Sequence, residues 1–171
     1  LTAIDFNDAK TYEMIAKGQT TGVFQLESEG MRQVLKKVCP TSLEDIVACN
    51  ALFRPGPMES IPLFAARKHH EQPVDYYHPS LQGILHNTYG IIVYQEQIMQ
   101  IANVVSGYTL GEADVLRRAV SKKKKDVLEE EERKFVAKAV ERGYPIEIAS
   151  QLYALILKFA NYGFNRSHAV A

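Results

Sequence analysis

Between Ala113 and Lys125 the chain places six cations and one acid: Arg117, Arg118, Lys122, Lys123, Lys124 and Lys125 against Asp114. On a helix Arg118 and Lys122 share a face at i, i+4, where like charges are mildly destabilising. A bound anion offsets that repulsion. Arginine offers a planar fork of donors to phosphate oxygens, and lysine a mobile point charge. The block therefore reads as an anion site, and equally as a solvated face balanced by an Asp114–Arg118 pair and by the acids after Asp126.

A second constellation closes the chain. Tyr162 and Phe164 flank Gly163, and Asn165, Arg166, Ser167 and His168 follow at an expected helix start. Such a start presents free amide donors, which favour an anion. The plainer alternative puts the aromatics in the core and makes Asn165 or Ser167 a cap. A third candidate is Arg54, fixed before Pro55-Gly56-Pro57, where two prolines lack amide donors and stiffen the turn. A loop arginine closing a helix C-terminus has the same pattern. Arg32 with Lys36, and Arg67 with Lys68, His69 and His70, read as surface cations.

Other chemistries find little support. The histidines form no HExxH, no Cys/His set has zinc spacing, and neither GxxxxGK[ST] nor GxSxG occurs. The acid pairs Glu44/Asp45 and Glu112/Asp114 fall in the first turns of expected helices, where the helix dipole favours acids anyway. No apolar run approaches the roughly 18–20 residues that span a bilayer. Cys39 and Cys49 form no CxxC and are expected as reduced thiols. Twenty cations balance twenty acids, which argues against a uniformly basic surface but not against a basic stripe. Beginning at Leu1 without Met and stopping inside a helical run at Ala171, the chain is expected to be a piece of a longer one.

The elements that must position these residues are mainly α, a multi-helix domain with one or two short strands. Asn7 or Asp8 is expected to cap a first helix and Ser28 a second, and Thr41-Ser42 is expected to start a third. Met58 to Lys68 is expected to be helical. Glu71–Tyr89 reads as loop with a turn of helix, and Gly90–Val93 as the one buried strand. Gln95–Ser106 has a helical apolar face ending at Gly107, and Thr109 with Glu112 forms a capping box for the next helix. Leu110, Ala113 and Leu116 are expected on its apolar side. A charged helix from about Asp126 to Arg142 and another opened by Pro145 complete the pattern.

Five stretches, in order and spanning nearly the whole chain, resemble the bacterial replicative polymerase family, the α subunits of DNA polymerase III of the DnaE type. They are Thr21–Ser28, Ala51–Met58, Tyr89–Gln97, Ser106–Ala119 and Phe159–Ala169. Ser121 departs from the family's usual Gly, and Arg166 from a frequent Lys. The resemblance implies a fingers domain over residues 26–171, with residues 1–25 near the palm. It implies that Arg117 and Arg118 meet the incoming dNTP triphosphate. It also places Asn165, Arg166, Ser167 and His168 near the nascent pair, with Tyr162 and Phe164 beneath it. Arg54 joins the expected nucleotide-binding set, and Lys122, Lys123, Lys124 and Lys125 are expected to contact primer–template DNA phosphates. Mg2+, the catalytic carboxylates, and the segments for the sliding clamp and other replisome subunits would lie outside this chain. The implied location is the bacterial cytoplasm, without membrane contact. By itself the chain would not polymerise. The competing expectation, from residues alone, is a non-catalytic helical module that docks a protein.

Overall fold

Short polar side chains set the helix starts in the first half of the chain. In the computed structural model, which describes residues 5–121, 125–160 and 162–171 and omits the side chains of residues 120–126, Asp8 caps α1 (Ala9–Ala16). Ser28 caps α2 (Glu29–Val38) and accepts from the Met31 amide. This helix ends on Cys39 in the left-handed region, immediately before Pro40. Ser42 caps α3 (Leu43–Leu52) by accepting from the Asp45 amide. Each cap of this kind contributes about 1 kcal/mol by satisfying an amide that the helix leaves unpaired. Pro57 opens a 3-10 turn, Pro57–Ser60, that leads into α4 (Ile61–Lys68).

The span from Glu71 to Tyr89 is more helical than the sequence suggests. It holds a 3-10 turn at Pro79–Leu81, then α5 (Gln82–Leu85), then a second 3-10 turn at His86–Thr88. Each is too short for a helical period to register, yet Leu81 and Leu85 anchor them in the core. α6 (Gln95–Ser106) ends at Gly107, and α7 (Leu110–Ser121) starts with the expected capping box. There the Thr109 amide donates to Glu112 Oε2 at 2.8 Å and the Glu112 amide to Thr109 Oγ1 at 3.2 Å. α8 (Lys125–Glu141), α9 (Ile146–Ala160) and α10 (Arg166–Val170) follow. Ala113 and Leu116 are buried, but Leu110 is exposed. Six residues of helix turn Leu110 about 120° away from Leu116, so the two do not share a face.

Two apolar cores result. The first joins α1–α4 through Leu35, Val38, Val47, Leu52 and Phe64, with Tyr89 packed edge-on to Phe64 at 5.0 Å. The second joins α5–α9 through Ile98, Ile101, Leu116, Phe135, Tyr153 and Ile156. Burying each such side chain contributes roughly 1.5–3 kcal/mol. An extended segment threads between the cores, and its side chains alternate. Ile91 and Val93 enter the first core, Ile92 the second. In the sequence the same residues form a short continuous apolar run, which gives it the look of a buried strand.

Among the described residues no strand forms. The segment meets Phe164 at a single parallel bridge with Tyr94, where the Phe164 amide donates to the Val93 carbonyl at 3.0 Å. The reason lies in Gln97, which is buried. Its Oε1 accepts from the Val93 and Tyr94 amides at 2.8 and 3.0 Å, and its Nε2 donates to the Ile84 carbonyl and to Thr88 Oγ1. Thr88 Oγ1 in turn donates to the Ile91 carbonyl at 2.6 Å. Side chains from the preceding turn and the following helix thus satisfy backbone groups that a neighbouring strand would otherwise pair. No helix among the described residues is long and apolar enough to cross a membrane.

Candidate functional site

Asp114, Arg117 and Arg118 lie on one stretch of α7, at spacings that bring all three side chains together. Asp114 Oδ1 accepts from Arg117 Nε at 3.1 Å and Nη2 at 2.8 Å. Its Oδ2 accepts from Arg118 Nε at 2.8 Å and from Arg118 Nη2. The expected Asp114–Arg118 pair is therefore half of a three-residue cluster, with one carboxylate held between two forks. Hydrogen bonds from Arg118 and then Arg117 hold the Asp114 carboxyl below its ordinary pKa. The Arg118 side chain is 67% exposed and that of Arg117 23%. One guanidinium thus faces water while the other is tucked against the helix. Ala113 and Leu116, buried against the neighbouring helices, fix the inward face; Arg118 lies roughly opposite them and points outward, while Arg117 lies beside that face at its edge.

The continuation of the stripe, Lys122, Lys123 and Lys124, lies outside the described residues, as does the side chain of Lys125.

The second constellation is assembled from distant parts of the chain. Arg54 Nη2 donates to the Tyr162 carbonyl at 2.6 Å and Nε to the Ala51 carbonyl at 3.2 Å, while its guanidinium lies 4.4 Å from the centre of the Phe164 ring. Burial lowers the pKa of this guanidinium. Gly56 makes the approach possible. Its φ of 98° favours glycine, and a Cβ there would stand 2.7 Å from the Tyr162 ring. The Pro-Gly-Pro turn is thus a seat for the segment before α10. Phe164 is half-buried on the first core, and Tyr162 stays 42% exposed.

α10 packs on α3. Two of the amide donors expected to be free at its start are already engaged. The Arg166 amide donates to both carboxylate oxygens of Glu96 at 3.2 Å, and the His168 amide to Asn165 Oδ1 at 3.1 Å. Ser167 Oγ also donates to Asn165 Oδ1. The Arg166 guanidinium pairs with Glu44. Glu44 and Glu96 escape a reading of the sequence because each looks like an ordinary first-turn acid, and 122 residues separate Glu44 from Arg166. A polar cleft of about 500 Å³ opens beside them, lined by Glu44, Asn87, Glu96, Gln100, Arg166 and Ser167.

The structure unites Arg54 with the Tyr162–His168 segment, and Arg117 with Arg118. α7 packs on α6, α8 and α9, whereas α10 packs on α3, so the two groups belong to different helical layers. Among the described residues no group of three or more His, Cys, Asp or Glu side chains is arranged to hold a metal ion. Asp45, half of the other first-turn acid pair, serves the fold. Buried with Lys68 at 3.0 Å, it also accepts from the Thr41 amide and the Tyr89 hydroxyl.

Fold and site define a mainly α module that presents paired guanidinium groups at a helix surface. The chain belongs to the bacterial DNA polymerase III alpha subunit finger domain family, whose model matches residues 1–143. It is 60% identical over 171 residues to the DNA polymerase III subunit alpha of Bacillus subtilis (strain 168), covering 100% of this chain and 15% of that protein. The corresponding subunits of Halalkalibacterium halodurans and of Staphylococcus aureus (strain N315) are 58% and 55% identical over 168 residues. These matches cover 98% of the chain and 15% and 16% of the respective relatives. The chain thus spans about 15% of the length of these relatives.

Proposed function

We propose that this chain is the nucleotide-binding fingers of a bacterial DNA-directed DNA polymerase, with residues 26–171 forming the fingers and residues 1–25 the palm-proximal segment. Arg117 and Arg118 take the triphosphate of the incoming dNTP. Asn165, Arg166, Ser167 and His168 lie near the nascent pair, and Lys122, Lys123, Lys124 and Lys125 meet phosphates of the primer–template. Arg54 contributes by seating the segment that leads into α10. The carrying observation is the convergence of two guanidinium forks on one carboxylate of α7. Each arginine here sets both donors of one edge on a single carboxylate oxygen, and that edge can equally take phosphate oxygens. Phosphoryl transfer depends on positioned cations around a highly charged transition state, and the pair supplies two.

The polymerase's Mg2+ would be held by carboxylates elsewhere in the longer protein. Contacts with the sliding clamp and other replisome subunits belong to other segments as well, and the setting is the bacterial cytoplasm. The test is single-nucleotide incorporation by the full-length subunit carrying Arg117→Ala with Arg118→Ala. A fall in kcat/KM of about 100-fold, equivalent to ~2.7 kcal/mol, is expected. Unimpaired incorporation would remove these arginines from the reaction.

A further inference from the structure

The two arginines proposed to meet triphosphate are already arranged around an anion supplied by their own helix. Asp114 stands three residues before Arg117 and four before Arg118, and each of its oxygens takes one arginine's Nε–Nη2 edge. This edge is the one a guanidinium turns toward a phosphate oxygen pair. Without the carboxylate, two adjacent cations would repel each other, and two long side chains would sample many rotamers. With it, both forks are held ready. Asp114 is itself only 24% exposed, so it faces the arginines more than water.

We propose that Asp114 is a positioning residue that acts as an internal placeholder for phosphate. It holds Arg117 and Arg118 in a phosphate-ready geometry and must yield to the more highly charged triphosphate. This rests on the nucleotide-binding role given above to the two arginines. The exchange is a swap of one anion for another, with no bond made or broken. A monoanionic carboxylate is outcompeted by a polyphosphate carrying several charges, whereas stray monoanions such as chloride or acetate gain little. The placeholder thus imposes a charge threshold on what enters the site, and binding a triphosphate displaces Asp114 toward solvent.

The sign of the consequence separates this role from simple support of the helix. Loss of a merely structural residue weakens ligand binding. Loss of a placeholder removes a competitor and strengthens binding of anions that carry no base or sugar. The experiment uses the full-length subunit with primer–template and inorganic triphosphate as competitor of dNTP incorporation. Wild type is compared with Asp114→Asn, Asp114→Ala, Asp114→Glu, and the Arg117→Ala/Arg118→Ala pair.

The asparagine and alanine variants are expected to lower the inhibition constant of inorganic triphosphate by about three- to tenfold. Both should also lower KM for dNTP in the same direction while kcat changes less, because Asp114 has already left the arginines once the triphosphate is bound. Glutamate should restore the wild-type values at least in part. The double arginine variant should bind inorganic triphosphate at least tenfold more weakly. If it does so while asparagine and alanine leave the inhibition constant unchanged or raise it, the placeholder role is overturned and the nucleotide-binding reading stands. If the double arginine variant binds triphosphate like wild type, both fall. Should one Asp114 variant fail to fold by circular dichroism, the other decides.

Discussion

In and beside the core built from α1–α4, three cations turn toward the protein. Lys68 is buried against Asp45, Arg67 donates to the Tyr89 carbonyl, and Arg54 donates to the carbonyls of Ala51 and Tyr162. On α7, packed into the other core, Arg117 and Arg118 meet a carboxylate of their own helix at the surface. Both regions neutralise positive charge, but at different depths. A buried pair cannot be exchanged for solvent or ligand without a large desolvation cost, whereas a partly exposed one, of which Arg118 is the open member, can at lower cost. The first kind of cation holds the fold together; the second kind is available for chemistry.

Removing Asp45 breaks that comparison at its strongest point. Asp45→Ala strands the Lys68 ammonium and should cost about 3–5 kcal/mol. Hydrogen exchange of α2–α4 amides in the full-length subunit measures it as a loss of protection. The same carboxylate sets an acid limit. Burial opposes its charge, but the Thr41 amide and Lys68 outweigh burial, and the net effect lowers its pKa. A carboxyl lowered on folding stabilises fully above its unfolded pKa, about 3.9, and loses that contribution as pH falls through the folded value. α2–α4 protection should therefore fall in that acidic range, and Asp45→Asn should flatten the dependence.

Gly56→Ala should cost about 1–3 kcal/mol, since it combines a strained φ with a clash on the Tyr162 ring. Amides of Phe164 and Arg166 should exchange faster, while α7 is unaffected. A smaller change is expected from Arg118→Lys, which keeps the charge and loses the fork. kcat/KM should drop several-fold, with protection of α7 unchanged to within about 0.5 kcal/mol. Smallest in effect is the thiol contrast. Burial pushes Cys49 up to about 12, so iodoacetamide at neutral pH should label Cys39, which is half-buried, and spare Cys49.

Much of this was legible from the residues. Ser28, Ser42, Thr109 and Glu112 announce helix starts because capping is a matter of a few adjacent positions, and the long apolar periods of α6 and α9 announce their faces. Local rules also found Asp114 beside Arg118. They failed where distant residues decide. Ile91–Val93 is the short β-branched apolar run of a buried strand, yet buried Gln97 pairs its backbone and no ladder is needed. The start of α10 reads in the sequence as a set of free amide donors, and only the folded chain brings Glu96 to the Arg166 amide and Glu44 to its guanidinium. Arg54 was singled out for its rigid turn, but nothing in its spacing points to the Tyr162 carbonyl 108 residues away.

The central claim is that α7 carries exchangeable cations for a triphosphate. The most direct measurement is the dNTP dissociation constant of the full-length subunit on primer–template, taken from the concentration dependence of single-turnover incorporation. For Arg117→Ala with Arg118→Ala the constant should rise at least tenfold while primer–template affinity at fixed salt changes less than twofold. An unchanged dNTP constant, or a loss confined to DNA binding, would contradict the account.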